Sequence, residues 1–402
     1  MQAIKIRSHI IRIVSLLQLL FFFSFALQAQ TENARLSQHG IKNLDTWLNN
    51  LVKENKIPGA VYVITQGDKI LGTGSVGYAD ISAEKPLTNN SIFRITSMTK
   101  AITAVALMTL YEEGKFLLTD PVSKYIPAFK NVRIADTTKS GTLNEITILD
   151  LLDNTSGLPS FSSDAFNDLL TNAKTNEEMA LGLAKIPLEF NPGTAYLYGA
   201  SYEVLGYLIQ VISGKHLDEF YNERIFSPLH MNDTYFFVPK EKQNRIAGAY
   251  RFNARGQATQ LRKSGEDDGD NQNMFDAAGG IKTTATDFAK FCQMLLNGGS
   301  LNGNIILSPS TVKLMLQDHV GSLYPDFESG CGWGFGGEIV NNLKRNELSA
   351  EGTYRWGGFY GNQFFVDVHN NLAAIIMIQM FPNYDLGVQS KFEILVRQAV
   401  IK

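Results

Sequence analysis

Cysteine is nearly missing from this sequence: two residues in 402, Cys292 and Cys331. That excludes a framework of disulfides and leaves one bridge or two buried thiols. The six histidines, at 9, 39, 216, 230, 319 and 369, show none of the spacings of metal ligands, so no metal and no cofactor is indicated. Basic charge is not in excess. The 36 Lys and Arg fall short of the 39 Asp and Glu, for a net charge of −3, which argues against nucleic acid or an anionic membrane surface as partner. No apolar run reaches the ~20 residues of a membrane-spanning helix. No G-x-S-x-G occurs, which removes the nucleophile elbow of the α/β-hydrolases. No repeat and no linker divides the chain.

The N-terminus reads as a targeting segment. Lys5, Arg7 and Arg12 precede an apolar run from Ile13 to Leu27, and Ala29 is a small residue suited to cleavage before Gln30. Residues 1–29 are therefore expected to be a signal peptide, and the protein to be exported, periplasmic or secreted, without stable membrane insertion. The mature chain keeps 33 basic and 39 acidic residues, net −6. At about 370 residues and 44% hydrophobic, it can build one large core.

What is present is a serine and a lysine three apart at the head of an apolar helix, Ser97-Met98-Thr99-Lys100. The run Ala101 to Tyr111 carries no charge before Glu112, and Gly114 stands where a helix would stop. Residues i and i+3 share a helix face, so Ser97 and Lys100 point the same way. An ammonium in a buried turn is costly. A buried, neutral lysine beside a hydroxyl is a base beside a nucleophile. S-x-x-K alone is weak: Ser82 to Lys85 lies in a polar stretch, and Ser310 to Lys313 reads as a helix start with Lys313 in solvent. A capping Ser97 with a snorkelling Lys100 is the competing reading.

Strands are expected near both ends. Ala60–Thr65 and Ile70–Tyr78 form one hairpin; Gln363–Val368 and Leu372–Met380 form another, followed by a helix from Leu386 to Ile401. Between them, from Ser97 to Thr286, helical patterns and loops dominate, with helices near 202–212 and 286–296. The acidic stretch 265–273 reads as a solvated loop. The expected fold is α/β of the α+β type. The N- and C-terminal hairpins meet in one antiparallel sheet flanked by helices, with a mostly helical region inserted. One catalytic domain spans 30–402, its α/β part about 45–110 and 285–402 and its helical part about 111–284.

Two further segments carry chemistry. Asn191-Pro192-Gly193 turns the chain before Tyr198, which sits just ahead of a helix starting near Ser201. A tyrosine held there can relay a proton, or it is one of fifteen tyrosines packed on the core. Tyr354-Arg355-Trp356-Gly357-Gly358-Phe359 precedes the last hairpin. Its glycines let a backbone or a substrate approach, and its N–H groups can join that of Ser97 around an oxyanion, each donor being worth roughly 10²–10³ in rate. A glycine bulge beside a packed tryptophan is the alternative.

In this order the three motifs resemble the serine β-lactamase and penicillin-binding-protein superfamily, nearest the class C β-lactamases and β-lactamase-like esterases. The likeness spans roughly 45–400. It includes Leu118-Thr119-Asp120-Pro121 with its continuation to Pro127, Ile146 to Pro159, and Ala277-Ala278-Gly279-Gly280-Ile281-Lys282-Thr283-Thr284. It implies that Ser97 is acylated and Lys100 is its base, while Tyr198 shuttles the proton. The N–H groups of Ser97 and Phe359 would form the oxyanion hole on the Trp356-Gly357-Gly358 strand. Splitting one hard step into two is the physical case for an acyl-enzyme.

Two departures from the family pattern steer the substrate. Two residues beyond the tyrosine, where the family's lactamases and peptidases have Asn, stands Ala200, with Ser201 offering a hydroxyl. Trp356-Gly357 replaces the Lys or His and the Thr or Ser that face a substrate carboxylate. Arg355 alternates to the other side of its strand. An ester is the expected substrate, bound as a small molecule in a pocket for small or moderately apolar acyl groups. A β-lactamase or D-alanyl peptidase acting on an amide is the alternative, and a non-catalytic sensor a third.

Overall fold

The computed structural model describes residues 35–401, apart from 136–143, 254–255, 257, 268–272, 343–347 and 383–385. The segment read as a signal peptide lies outside the described residues.

The two terminal hairpins do meet. Strands β1 (Gly59–Gln66) and β2 (Lys69–Asp80) join β3 (Lys85–Pro86), β4 (Cys331–Gly334), β5 (Gly337–Val340), β6 (Tyr354–Gly357), β7 (Gln363–Asp367) and β8 (Leu372–Met377). Their order is β4-β5-β6-β7-β8-β1-β2-β3, and every neighbouring pair is antiparallel. The two hairpins join where Ile375 pairs with Val63 and Ile376 with Tyr62. Both faces are covered, which is why β1 and β8 read as unbroken apolar runs. Val61, Val63, Ile375 and Met377 enter one core, and Ala60, Tyr62, Ile64 and Ile376 enter the other. Full burial of such a side chain is worth about 1.5–3 kcal/mol.

Helices α1 (Gln38–Lys53) and α5 (Val388–Ala399) cover one face. Helix α4 (Ala285–Leu296) lies on the other. There it meets the helical region that contains α2 (Thr99–Glu112) and α3 (Ser201–Ser213). The last helix is shorter than expected, because Val400–Ile401 leaves it to pair with Arg35–Leu36. The middle region also holds an antiparallel pair, Ala249–Phe252 with Ala258–Arg262, where only helices and loops were expected. Met380, expected to end the last strand, instead lies with Phe381 in a short strand parallel to Ala249–Phe252. Both cysteines are buried, and they do not form a disulfide.

The phrase at 118–127 has a structural role. Asp120 accepts from the Leu117 N–H (2.9 Å), Lys124 Nζ (2.9 Å) and the Tyr125 hydroxyl (2.7 Å). Its backbone N–H donor and Lys124 hold its carboxyl down to about 2. A depressed carboxylate stabilises the fold above its unfolded value and loses that contribution as pH falls through the folded one. Asp120→Asn is therefore expected to lower the urea midpoint at pH 6. The gap to the parent should close between roughly pH 4 and pH 2, as urea titrations at stepped pH would show.

Candidate active site

Ser97 does not open the α-helix. It sits in a 3₁₀ turn, Thr96–Met98, and α2 begins two residues later at Thr99. Lys100, on the first turn of α2, is 1% exposed. Its Nζ donates to Ser97 Oγ at 3.4 Å and to the Ala278 carbonyl at 3.0 Å, and lies 4.7 Å from the centre of the Tyr198 ring. The snorkelling reading fails, since the lysine points inward. The other two S-x-x-K copies play no part: Ser82 bonds Asp80, and Lys313 is exposed.

Thr96 is a β-branched residue with φ +45°, a conformation such residues adopt only when their surroundings impose it. Here the surroundings are the Gly357–Phe359 segment. An added Cβ at Gly358 would lie 2.4 Å from the Ile95 carbonyl and 2.6 Å from Thr96 Oγ1, so only glycine lets the strand come this close. The Phe359 N–H donates to Thr96 Oγ1 at 2.7 Å. The N–H expected to serve an oxyanion thus lies beside the Ser97 turn and donates to a neighbouring hydroxyl.

Tyr198 and Trp356 meet across the cavity. The Trp356 indole N–H donates to the Tyr198 hydroxyl at 3.2 Å, with ring centroids 5.4 Å apart. Trp333 stands edge-on to Trp356 at 4.6 Å and anchors through its own N–H to the Leu152 carbonyl at 3.2 Å. The half-buried Tyr198 ring packs against the cluster around Trp333 and also lines the cavity. Ser201 does not substitute for the missing Asn. It is buried, and its hydroxyl is joined to that of Ser156 at 2.8 Å. Arg355 points away from Trp356, as alternation requires, and ion-pairs with Glu338 (2.7 Å) and Glu393 (3.1 Å).

The cavity has a volume of about 820 Å³ and brings together Ser97, Lys100, Tyr198, Trp356, Gly357, Gly358 and Phe359. Phe161, Leu170 and Phe359 give it an apolar rim. Among the described residues no group of three or more His, Cys, Asp or Glu could hold a metal. The arrangement is a serine hydroxyl beside a buried amine, with a phenol lining the same cavity. That is the equipment of acyl transfer.

The chain matches the Beta-lactamase family over residues 44–396. It belongs to that family. Among its relatives are Esterase EstB of Burkholderia gladioli, 25% identical over 377 residues covering 88% of this chain and 92% of the relative. A putative D-alanyl-D-alanine carboxypeptidase of Escherichia coli is also 25% identical over 377 residues, covering 87% and 84%. The solved structure of EstCE1, described as a hydrolase with promiscuous acyltransferase activity, superposes with a TM-score of 0.78 at 25% identity, over 90% of this chain and 98% of that one. This β-lactamase-family chain is a serine hydrolase by membership, and its antiparallel sheet with an inserted helical region is the family fold.

Sequence reading missed several residues around the site. Thr96 carried no signal. Trp333 lies in a glycine-rich strand far along the chain. Glu203 and Asp276 also line the cavity, and Glu203 left a trace: it is the one acid in the apolar run 202–212. The acidic stretch at 265–273 is only partly a solvated loop. Asp267 is buried against Lys282 (2.8 Å) and the Val238 N–H (2.6 Å), while 268–272 lie outside the described residues.

Proposed function

We propose that this protein is an exported carboxylic ester hydrolase that works through an acyl-enzyme on Ser97. The observation that carries the reading is the Trp356 indole on the Tyr198 hydroxyl, a neutral donor where the family's lactamases and peptidases are expected to present a cation. Arg355 also lines the cavity, but its guanidinium is ion-paired with Glu338 and Glu393. A carboxylate-bearing substrate would have to compete with those two glutamates for Arg355, and the apolar rim suits an uncharged acyl group.

In this reading Ser97 Oγ attacks the ester carbonyl and Lys100 Nζ takes its proton. The carbonyl oxygen, now anionic, takes the N–H groups of Ser97 and Phe359, the second released by Thr96. Tyr198 gives its proton to the departing alkoxide, and Trp356 holds the phenol oxygen in place. Water then attacks the acyl-Ser97 carbonyl and gives its proton to the Tyr198 phenolate, Lys100 returns its proton to Ser97 Oγ as that bond breaks, and the acid leaves. Tyr198→Phe is expected to lower kcat by about 10²-fold or more, the range for a positioned acid–base. Trp356→Phe should cost about tenfold by removing one neutral hydrogen bond. Steady-state rates on a p-nitrophenyl ester check both.

Paired initial rates on a short-chain p-nitrophenyl ester and a chromogenic cephalosporin test the substrate class. Ester turnover far above cephalosporin turnover supports the proposal. Comparable cephalosporin turnover, or release of D-alanine from a D-alanyl peptide, would replace it with the amide reading. A stable adduct without turnover would indicate a sensor.

A further inference from the structure

Helix α3 turns one carboxyl toward the catalytic centre. Glu203 is 1% exposed and shares the cavity wall with Lys100 and Asp276. A carboxylate buried in this way needs donors around it, yet Glu203 Oε2 meets none among the described residues. Its hydrogen-bond partner is another carboxyl, that of Asp276. Two carboxyls in contact hold a proton between them.

Asp276 is the one built to accept. Its Oδ1 receives the N–H groups of Ala278 (2.8 Å) and Gly279 (2.7 Å), whereas no donor reaches Glu203 Oε2 among the described residues. Burial pushes the Glu203 carboxyl well up, Asp276 pushes it further, and Lys100 opposes them. The remaining titratable neighbour is Tyr221, whose hydroxyl donates to Thr103. The proton therefore resides on Glu203.

The turn that Asp276 braces reaches the nucleophile's base. The Gly280 N–H donates to the Asp276 carbonyl at 2.8 Å, Ala277 O accepts from Thr103 Oγ1 at 2.6 Å, and Ala278 O accepts from Lys100 Nζ at 3.0 Å. We propose that Glu203 is a positioning residue of the catalytic centre: protonated, it donates to Asp276 and holds the 276–279 turn that aims Lys100 at Ser97, while sparing that lysine a second adjacent negative charge. The proposal rests on the Ser97–Lys100 reading of the site.

Infrared spectroscopy tests it without any substrate. The wild-type protein at neutral pH should show a protonated-carboxylic-acid C=O component that is retained in Ser97→Ala and missing in Glu203→Gln. It is read as a difference spectrum, because the buried Asp153 carboxyl, also pushed up by burial, contributes equally to all three. A wild-type minus Glu203→Gln spectrum with no such component would overturn the proposal while leaving the esterase reading untouched. Kinetics supply the second arm. Glu203→Gln keeps a neutral donor and should exceed Glu203→Ala in kcat/KM for the ester by about tenfold. Its acid limb in the pH profile of kcat/KM should coincide with that of the wild type. Equal rates in the two variants would remove the positioning role. An acid limb displaced downward by about one pH unit in Glu203→Gln would show that wild-type Glu203 is ionised. Where Glu203→Ala fails to fold, the band and the Glu203→Gln profile still decide.

Discussion

Ser97→Ala is expected to lower kcat/KM for a short-chain p-nitrophenyl ester by at least about 10³-fold, with the fold unchanged. The hydroxyl is the attacking atom in the proposed mechanism, and Lys100 and Tyr198 have nothing to activate without it. Ser97 is half-buried in a 3₁₀ turn held by its neighbours, so removal of one oxygen leaves the packing intact. Lys100→Met should produce a loss of similar size, because residues that act as a unit lose their effect together. The double variant is then expected to be no worse than either single one. Rates with matched circular dichroism and urea midpoints check this. A multiplicative loss in the double variant would mean that serine and lysine act independently.

Gly358→Ala is the second large effect, and it arises from a clash rather than from lost chemistry. The new methyl would lie 2.4 Å from the Ile95 carbonyl and 2.6 Å from Thr96 Oγ1, distances that force the Gly357–Phe359 segment and the nucleophile's turn apart. The Phe359 N–H, now 2.7 Å from Thr96 Oγ1, would leave the position where it can meet an oxyanion. Loss of one such donor costs about 10²–10³ in kcat, and overpacking of this kind about 1–3 kcal/mol of stability. KM should change little, since the donor matters most once charge has developed on the carbonyl oxygen. The kinetic split and the urea midpoint, measured together, separate the two consequences.

The Ser97–Lys100 pair was legible because a lysine in an apolar run is a local contradiction, and burial of Lys100 against Ser97 and Ala278 resolves it. The paired hairpins were legible for a related reason, as β1 and β8 bury both faces and their composition is uniformly apolar. What stayed hidden depends on distant partners. Gly337–Val340 is a strand because β6 offers it an edge, and Cys331–Gly334 because Gly337–Val340 does so in turn, although their glycines give almost no alternation. Val400–Ile401 leaves its helix to meet Arg35–Leu36, at the opposite end of the chain. Ser201 looked available for the site until Ser156, forty-five residues earlier, proved to hold its hydroxyl. Thr96 is strained by a segment more than 250 residues away. Local pattern specifies which side chains are anomalous, and tertiary packing decides what the anomaly does.

The central claim is that the acyl group passes through Ser97. Rapid acid quench of the protein with a p-nitrophenyl ester, followed by intact mass and peptide mapping, observes that group directly. The account predicts a mass increase equal to the acyl moiety, carried by the peptide containing Ser97 and absent from Ser97→Ala. Acylation of another residue, or an adduct formed equally fast in Ser97→Ala, would contradict it.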